Sequence, residues 1–484
     1  MKRKDLINKA LFGNEAGEDE DVERLTSYFV EKADFEAFYD HKVRLQIVKS
    51  RKGVGKSALL SRTAEDKRVT SPNDLVLYLK GADLAATQEI EDKTSNGLIN
   101  GWQQRICSRI NHEIGKLLNF AFSDDAIALV ESAELAGLKS RNLWGALIDR
   151  IKLKANPIET KKLESTNPQA LLERFTKRDP KTIWLLVDDI DATFKNTPEG
   201  CLALSTFFSA CRYLSQSVEG LRIRLSVRTD VWTILAQEDE ALDKCEQYLF
   251  DLSWSNSEAE QILVRKIVTF FRNAYPDDPR FQTMDPSRDS QAILSLVFTR
   301  KFSWGKKSYP PDRPIYILSN GRPRWAAHLC KLAAKEAHDL SATHIGIGHV
   351  NAALQKYGEV RLSDLYKEHK HQCPSLQTLL ESFARGPSQF TTNDLLTRIT
   401  DRIIRGHGMI EIDGVKSGGG SISIAHFLYR IGFLCARDDS KPGALSFVRY
   451  EDRPNLLSTT QNLDDGLIWE IHPSYRKVLH IVRH

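Results

Sequence analysis

No two of the seven cysteines (Cys107, Cys201, Cys211, Cys245, Cys330, Cys373 and Cys435) stand in a Cys-x-x-Cys pair. That spacing argues against a zinc ribbon and a thioredoxin-type redox centre, and an odd, dispersed set reads as reduced thiols. No run of about 18 consecutive apolar residues occurs, so no membrane-spanning helix and no membrane partner is expected. Charge of one sign is not in excess: 68 Lys and Arg stand against 64 Asp and Glu, a net +4. A protein that coats nucleic acid usually carries far more. No internal repeat is visible, which argues against a solenoid. The basic start Met1-Lys2-Arg3-Lys4 is followed by a short apolar stretch broken at Asn8 and Lys9 and then by acidic residues, unlike a secretory signal. A cytoplasmic location is the expectation.

What is present is an ordinary globular composition, 41% hydrophobic and 27% charged over 484 residues, enough for about three folding units. Apolar runs at Val43–Val48, Leu75–Leu79, Ile183–Val187, Leu221–Val227 and Tyr248–Leu252 read as strands. Between them lie helical patterns, including an insert at about 97–178 and a helix near 200–217. Strands alternating with helices imply crossover connections and a parallel sheet, hence the α/β class. The expected organisation is a helical lead-in at 1–42, a core at 43–256, a helical lid at 257–372 and a smaller domain at 373–484. In the last of these, a helix at about 422–431 precedes two strand-like pieces, Gly432–Arg437 and Leu445–Tyr450. They are joined by Asp438-Asp439-Ser440-Lys441-Pro442-Gly443, a pattern that suggests a winged helix.

The strongest feature is Ser50-Arg51-Lys52-Gly53-Val54-Gly55-Lys56-Ser57, directly after the first expected strand. Gly53 and Gly55 let backbone N–H groups close around a polyphosphate, and the helix beginning at Ser57-Ala58 turns its positive end toward it. Lys56 would reach the β- and γ-phosphates and the Ser57 hydroxyl would ligate Mg²⁺. Ser50 takes the place of the first glycine in the GxxxxGK[ST] pattern, and Val54 and Ala58 complete the loop.

A second constellation is Ile183-Trp184-Leu185-Leu186-Val187-Asp188-Asp189-Ile190-Asp191. A buried parallel strand ending in carboxylates puts them at the sheet edge where ligands bind. Asp188 is the expected Mg²⁺ partner, Asp189 the residue that orients or deprotonates the attacking water, and Asp191 a support. The strand 221–227 ends at Arg228, placed either to sense a γ-phosphate or to pair with Asp230 or Asp191. Asn320-Gly321-Arg322-Pro323-Arg324-Trp325 opens an apolar helix, from whose start Arg324 can reach back toward a nucleotide.

Taken together, Gly-x-Gly-Lys-Ser, Asp188-Asp189-x-Asp191, the strand ending at Arg228 and Gly321-x-Pro323-Arg324 resemble the STAND and KAP-like bacterial P-loop NTPases, most closely the FunZ type. Phe12-Gly13-Asn14-Glu15 with Tyr28-Phe29-Val30-Glu31 is similar to the segment that leads into the loop there. The resemblance implies an ASCE/AAA-like P-loop fold with a C-terminal winged helix. It also implies ATP and Mg²⁺ as ligands, oligomerisation on activation, a separate effector partner and a place in anti-phage defence. It implies that Lys56, Asp189 and Arg228 carry turnover, that Ser57 and Asp188 hold the metal, and that Arg324 is a second sensor. Two other readings stand beside this one: an ATP-dependent DNA clamp of the initiator type, and a scaffold that holds ATP without turnover.

Weaker signals read as structural. His369-x-His371-x-Cys373 looks like solvated residues at a helix end rather than a zinc site. Cys201 and Cys211 read as core residues, and Arg398, Arg402 and Arg405 share their helix with Asp394 and Asp401. Over 388–484 twelve Lys or Arg stand against eleven Asp or Glu, which favours protein contacts over a phosphate track.

Overall fold

A computed structural model of the chain describes residues 3–14, 20–85, 90–117, 167–178, 181–238, 242–305, 307–408, 410–416, 420–438, 447–464 and 466–482. Most of the expected insert (118–166), the connector residues 417–419 and the joining segment from 439 to 446 lie outside the described residues. The chain divides into two compact units. One comprises Glu31–Arg51 and Lys56–Leu252, the other Met1–Val30, Lys52–Gly55 and Ser253–His484.

The first is built on five parallel strands: β1 (Leu45–Ser50), β2 (Leu75–Lys80), β3 (Ile183–Asp188), β4 (Leu221–Arg228) and β5 (Leu249–Asp251). Their order across the sheet is β2-β3-β4-β1-β5. All six residues of β3 are buried, as an uninterrupted apolar run at the centre of a parallel sheet requires. On one face Ile47, Leu185, Val187, Ile223 and Leu225 join Phe207 and Phe208 of the helix Pro198–Ser217. Trp102, from the helix Ser95–Leu117, meets Phe207 edge-on at 5.3 Å and donates its indole N–H to the Ala203 carbonyl. Cys201 and Cys211 sit in this core, and burial pushes the Cys211 thiol up.

The helix Lys56–Thr70 packs across β1 to β4. Polar residues interrupt the apolar sequence of β4, and one of them, Arg224, is fully buried. Its guanidinium lies 5.0 Å from the Trp184 ring and donates to the carbonyls of Phe38, Asp40 and Val43. That clamp explains why β1 starts at Leu45 rather than at Val43. Val43 lies in a turn, with its N–H on the Asp40 carbonyl and its own carbonyl held by Arg224.

The second unit has two apolar clusters. The first gathers Phe12, Val264, Phe271, Leu329 and Tyr357 from the N-terminal segment and the helices Asn256–Ala274, Pro323–Asp339 and Ile347–His369. A hairpin, Phe302–Trp304 with Lys307–Tyr309, interrupts a region whose pattern reads as mostly helical. The second cluster lies behind an antiparallel sheet of Phe447–Val448, Leu434–Arg437, Ile468–Ile471 and Gln389–Phe390, in that order. The helix expected at 422–431 runs Gly420–Arg430. The expected pairing of the two strand pieces is present, with Ala436 opposite Val448. The third strand, Ile468–Ile471, is held by Trp469, whose indole donates to the Thr392 hydroxyl at 2.9 Å. His369 is buried, not solvated, with Nδ1 2.7 Å from Oε1 of Gln372, and Cys373 is buried beside it. Among the described residues no helix is long and apolar enough to cross a membrane.

Candidate phosphate-binding site

The sheet register sets the carboxyl edge. Ser50 ends β1 opposite Arg228 at the end of β4, and Lys80 ends β2 opposite Asp188 at the end of β3. β1 lies between β4 and β5, and its chain continues into the helix Lys56–Thr70 and on to β2 at the far edge. Ligands bind at such reversals of strand order, beyond the carboxyl ends.

The loop from 50 to 57 needs glycine at two places and not at a third. Gly53 and Gly55 have φ of +79° and +124°, where a side chain strains the backbone. A Cβ on Gly55 would meet nothing within 4 Å, so open space lies beside it. Ser50 is the last residue of β1, buried and outside the left-handed region, and its hydroxyl donates to the Arg51 carbonyl. A side chain is therefore tolerated where the pattern has its first glycine. Lys56 opens the helix, and its buried ammonium donates to the Ser50 carbonyl at 3.2 Å and the Arg51 carbonyl at 3.5 Å. Ser57 and Ala58 follow in the first turn.

Asp188 is completely buried and held on both oxygens. Ser226 of β4 donates its hydroxyl to Oδ1, and Tyr78 of β2 donates to Oδ2 at 2.9 Å. Asp189 turns the chain with φ of +53°, and its N–H points to the Ser226 hydroxyl. The backbone of Asp189 and Ile190 runs so close to Gly81 that a Cβ there would sit 2.3 Å from the Ile190 Cα. Asp191 is buried and accepts the Arg228 N–H at 2.7 Å. Burial raises its pKa, with Lys56 and then Arg228 pulling it back. The Arg228 side chain forms a two-pronged pair with Asp230, the structural one of the two expected arrangements.

Within the other unit, Arg324 stands beside the loop residues 52–55. Its N–H donates to the Gly53 carbonyl at 3.2 Å, and a Cβ on Gly53 would lie 3.1 Å from that of Arg324. Val54 is buried, with its carbonyl accepting the Trp254 indole N–H at 2.7 Å. Tyr78, Ser226, Gly81 and Trp254 escaped the reading of the sequence. Only Ser226, a polar residue inside an apolar strand two places before Arg228, carried a visible signal.

Among the described residues no group of three His, Cys, Asp or Glu could hold a metal by itself. The donors that remain, the Ser57 hydroxyl and the Asp188 carboxylate, are hard oxygens. They suit Mg²⁺, which is commonly held by one or two protein oxygens together with substrate phosphates and water.

Together these make an α/β fold with a five-stranded parallel sheet, a glycine-bearing loop and carboxylates at the sheet's carboxyl edge. No family model matches the chain. Among curated proteins it is similar to the transposon gamma-delta 80.3 kDa protein of Escherichia coli (strain K12), 22% identical over 465 residues. The match covers 88% of this chain and 62% of that protein, so the chain spans about three fifths of its relative's length. Three solved structures are similar over most of their length. The Aeropyrum pernix ORC2 protein is 11% identical, with a TM-score of 0.42 and coverage of 93% of each chain. Cdc6p from Pyrobaculum aerophilum is 12% identical, with a TM-score of 0.33 and coverage of 95% of this chain and 98% of that one. A chain of Drosophila ORC bound to DNA is 12% identical, with a TM-score of 0.29 and coverage of 94% and 90%.

Proposed function

We propose that this chain is a Mg²⁺-dependent ATP-binding and hydrolysing switch. One observation carries the reading: a loop with two left-handed glycines joins β1 to a helix, in a sheet whose β3 ends in a carboxylate fixed by two hydroxyls. Fixed dipoles at a sheet edge beside a helix N-terminus favour a polyphosphate, and a buried, oriented carboxylate favours the divalent ion that accompanies it.

In this proposal Ser50, Gly53, Val54, Gly55, Lys56, Ser57 and Ala58 wrap the phosphates. The Lys56 ammonium exchanges its loop carbonyls for phosphate oxygens. Ser57 and Asp188 hold Mg²⁺, which offsets phosphate charge when bound. Asp189, on a sharp turn just after β3, orients the attacking water. Arg228 leaves Asp230 to meet the changing charge, and Arg324 answers from the Gly53 side. In this proposal the segment 257–372 acts as a lid and 373–484 as a winged-helix-like output. By resemblance to the FunZ-type proteins, oligomerisation and a separate effector in a defence complex complete the switch.

Calorimetric titration with MgATP tests the reading. Wild type should bind and Lys56→Ala should not, because the phosphate-facing ammonium is gone. Equal binding by the two overturns the loop assignment. Asp189→Asn should bind and release phosphate slowly, and near-normal release would move the water-orienting role elsewhere.

A further inference from the structure

Three consecutive carbonyls in the loop are each held by a donor from the helical unit that contains them. The Lys52 carbonyl accepts from Nη1 of Arg322 at 3.3 Å, the Gly53 carbonyl from the Arg324 N–H at 3.2 Å, and the Val54 carbonyl from the Trp254 indole at 2.7 Å. The Lys52 N–H in turn donates to Oε1 of Glu368 at 3.4 Å. In a trans peptide the carbonyl of one residue and the N–H of the next point in opposite directions. Tethering the carbonyls of 52, 53 and 54 therefore fixes the directions in which the N–H groups of Gly53, Val54 and Gly55 point. Successive N–H groups that converge form a concave anion cradle.

The tether is anchored by an ion pair. Arg322 and Glu368 bond at 2.9 Å with side chains 2% and 1% exposed. The Arg322 guanidinium lies 4.1 Å from the Trp325 ring, with Arg361 at 4.6 Å from the same ring. Glu368 is the penultimate residue of the 23-residue helix Ile347–His369. A buried ion pair is a poor source of stability compared with apolar residues of the same size, so its place here points to geometry.

We infer that Trp254, Arg322 and Glu368 are positioning residues that preset the phosphate-binding loop without touching the nucleotide. This rests on the nucleotide reading above and adds the device that shapes the cradle. Two variants of the full chain separate its role from simple stability. Trp254→Phe keeps an aromatic side chain at the position and removes the indole N–H donor together with part of the ring system. Arg322→Met combined with Glu368→Leu replaces the buried pair by apolar residues of similar size.

Folded variants, checked by thermal unfolding, should bind MgATP about tenfold more weakly. KM should rise with a smaller change in kcat, because the loop is misshaped before the reaction starts. Amide exchange at Gly53–Gly55 should quicken in the nucleotide-free protein. Wild-type affinity and wild-type loop exchange in a folded variant would overturn the inference. If the double variant does not fold, Trp254→Phe decides by the same two readouts. If wild type itself binds no nucleotide, the parent reading fails and loop exchange alone decides the clasp: faster exchange supports it and unchanged exchange removes it.

Discussion

The hydroxyl of Tyr78 donates to Oδ2 of Asp188 across the pairing of β2 with β3, while Ser226 on β4 holds the other oxygen. Asp188 thus lies in a fully buried position with both oxygens oriented by neutral donors from its two neighbouring strands. Neutral donors fix a carboxylate without cancelling its charge, which is what a partner of a divalent ion requires.

Tyr78→Phe removes one of those donors and leaves the ring in place. The carboxylate is then free to rotate, at a cost of about 1 kcal/mol. Half-maximal ATP turnover should need about fivefold more Mg²⁺, read from a magnesium titration of phosphate release. Ser226→Ala should act in the same direction. Because both hydroxyls hold one group, the double variant should depart from the sum of the two. Unchanged magnesium dependence would mean that Asp188 is structural.

Gly55→Ala places a side chain on a backbone with φ of +124°, although no atom lies within 4 Å of the new carbon. The obstacle is the backbone conformation and not crowding, with strain of about 1–3 kcal/mol. Relief requires the loop to rearrange, so MgATP affinity should fall at least tenfold while thermal unfolding changes little. A folded Gly55→Ala protein with wild-type affinity would show that the loop has no need of this conformation.

Gly81→Ala should behave in the opposite way. Its new carbon would lie 2.3 Å from the Ile190 Cα and 2.9 Å from the Asp189 carbonyl oxygen, both backbone atoms. Backbone cannot rotate aside as a side chain can, so the substitution should lower the melting temperature by several degrees and displace Asp189. Phosphate release should fall with it. A melting temperature equal to wild type would mean that the two segments separate at little cost.

These contrasts mark what the sequence makes legible. The β3 run and the Lys56 loop are local patterns, since apolar length and glycine spacing report strand burial and backbone turns directly. Arg224 and Ser226 are legible only as polar breaks, because their burial depends on carbonyls at 38–43 and on the Asp188 carboxylate, all distant in sequence. The same holds for Glu368, which meets Lys52 across 316 positions. The burial of His369 is not legible either, because periodicity near a helix end says nothing about what packs over it. The strand Ile468–Ile471 is hidden for a similar reason: its partners, Leu434–Arg437 and Gln389–Phe390, come from two separate stretches of chain.

The second unit should also respond to acid through His472. The imidazole is buried at the start of the helix Pro473–Arg476, where its Nδ1 accepts the Ser474 backbone N–H and lies 2.5 Å from the Ser474 hydroxyl, which donates to the Leu318 carbonyl. Burial, with Arg476 nearby, lowers its pKa from 6.5 to about 3. The unfolded chain therefore takes up a proton near pH 6.5 that the folded chain refuses until about pH 3. Stabilisation from the neutral ring is complete above the unfolded value and is lost progressively as pH falls through that window. At pH 5 the loss is about 2 kcal/mol. His472→Asn keeps a helix-capping acceptor but has no proton to bind. Between pH 7 and pH 5, wild type should lose about 2 kcal/mol more unfolding free energy than the variant, read from denaturant midpoints. Parallel losses in the two proteins would place the acid sensitivity on other groups.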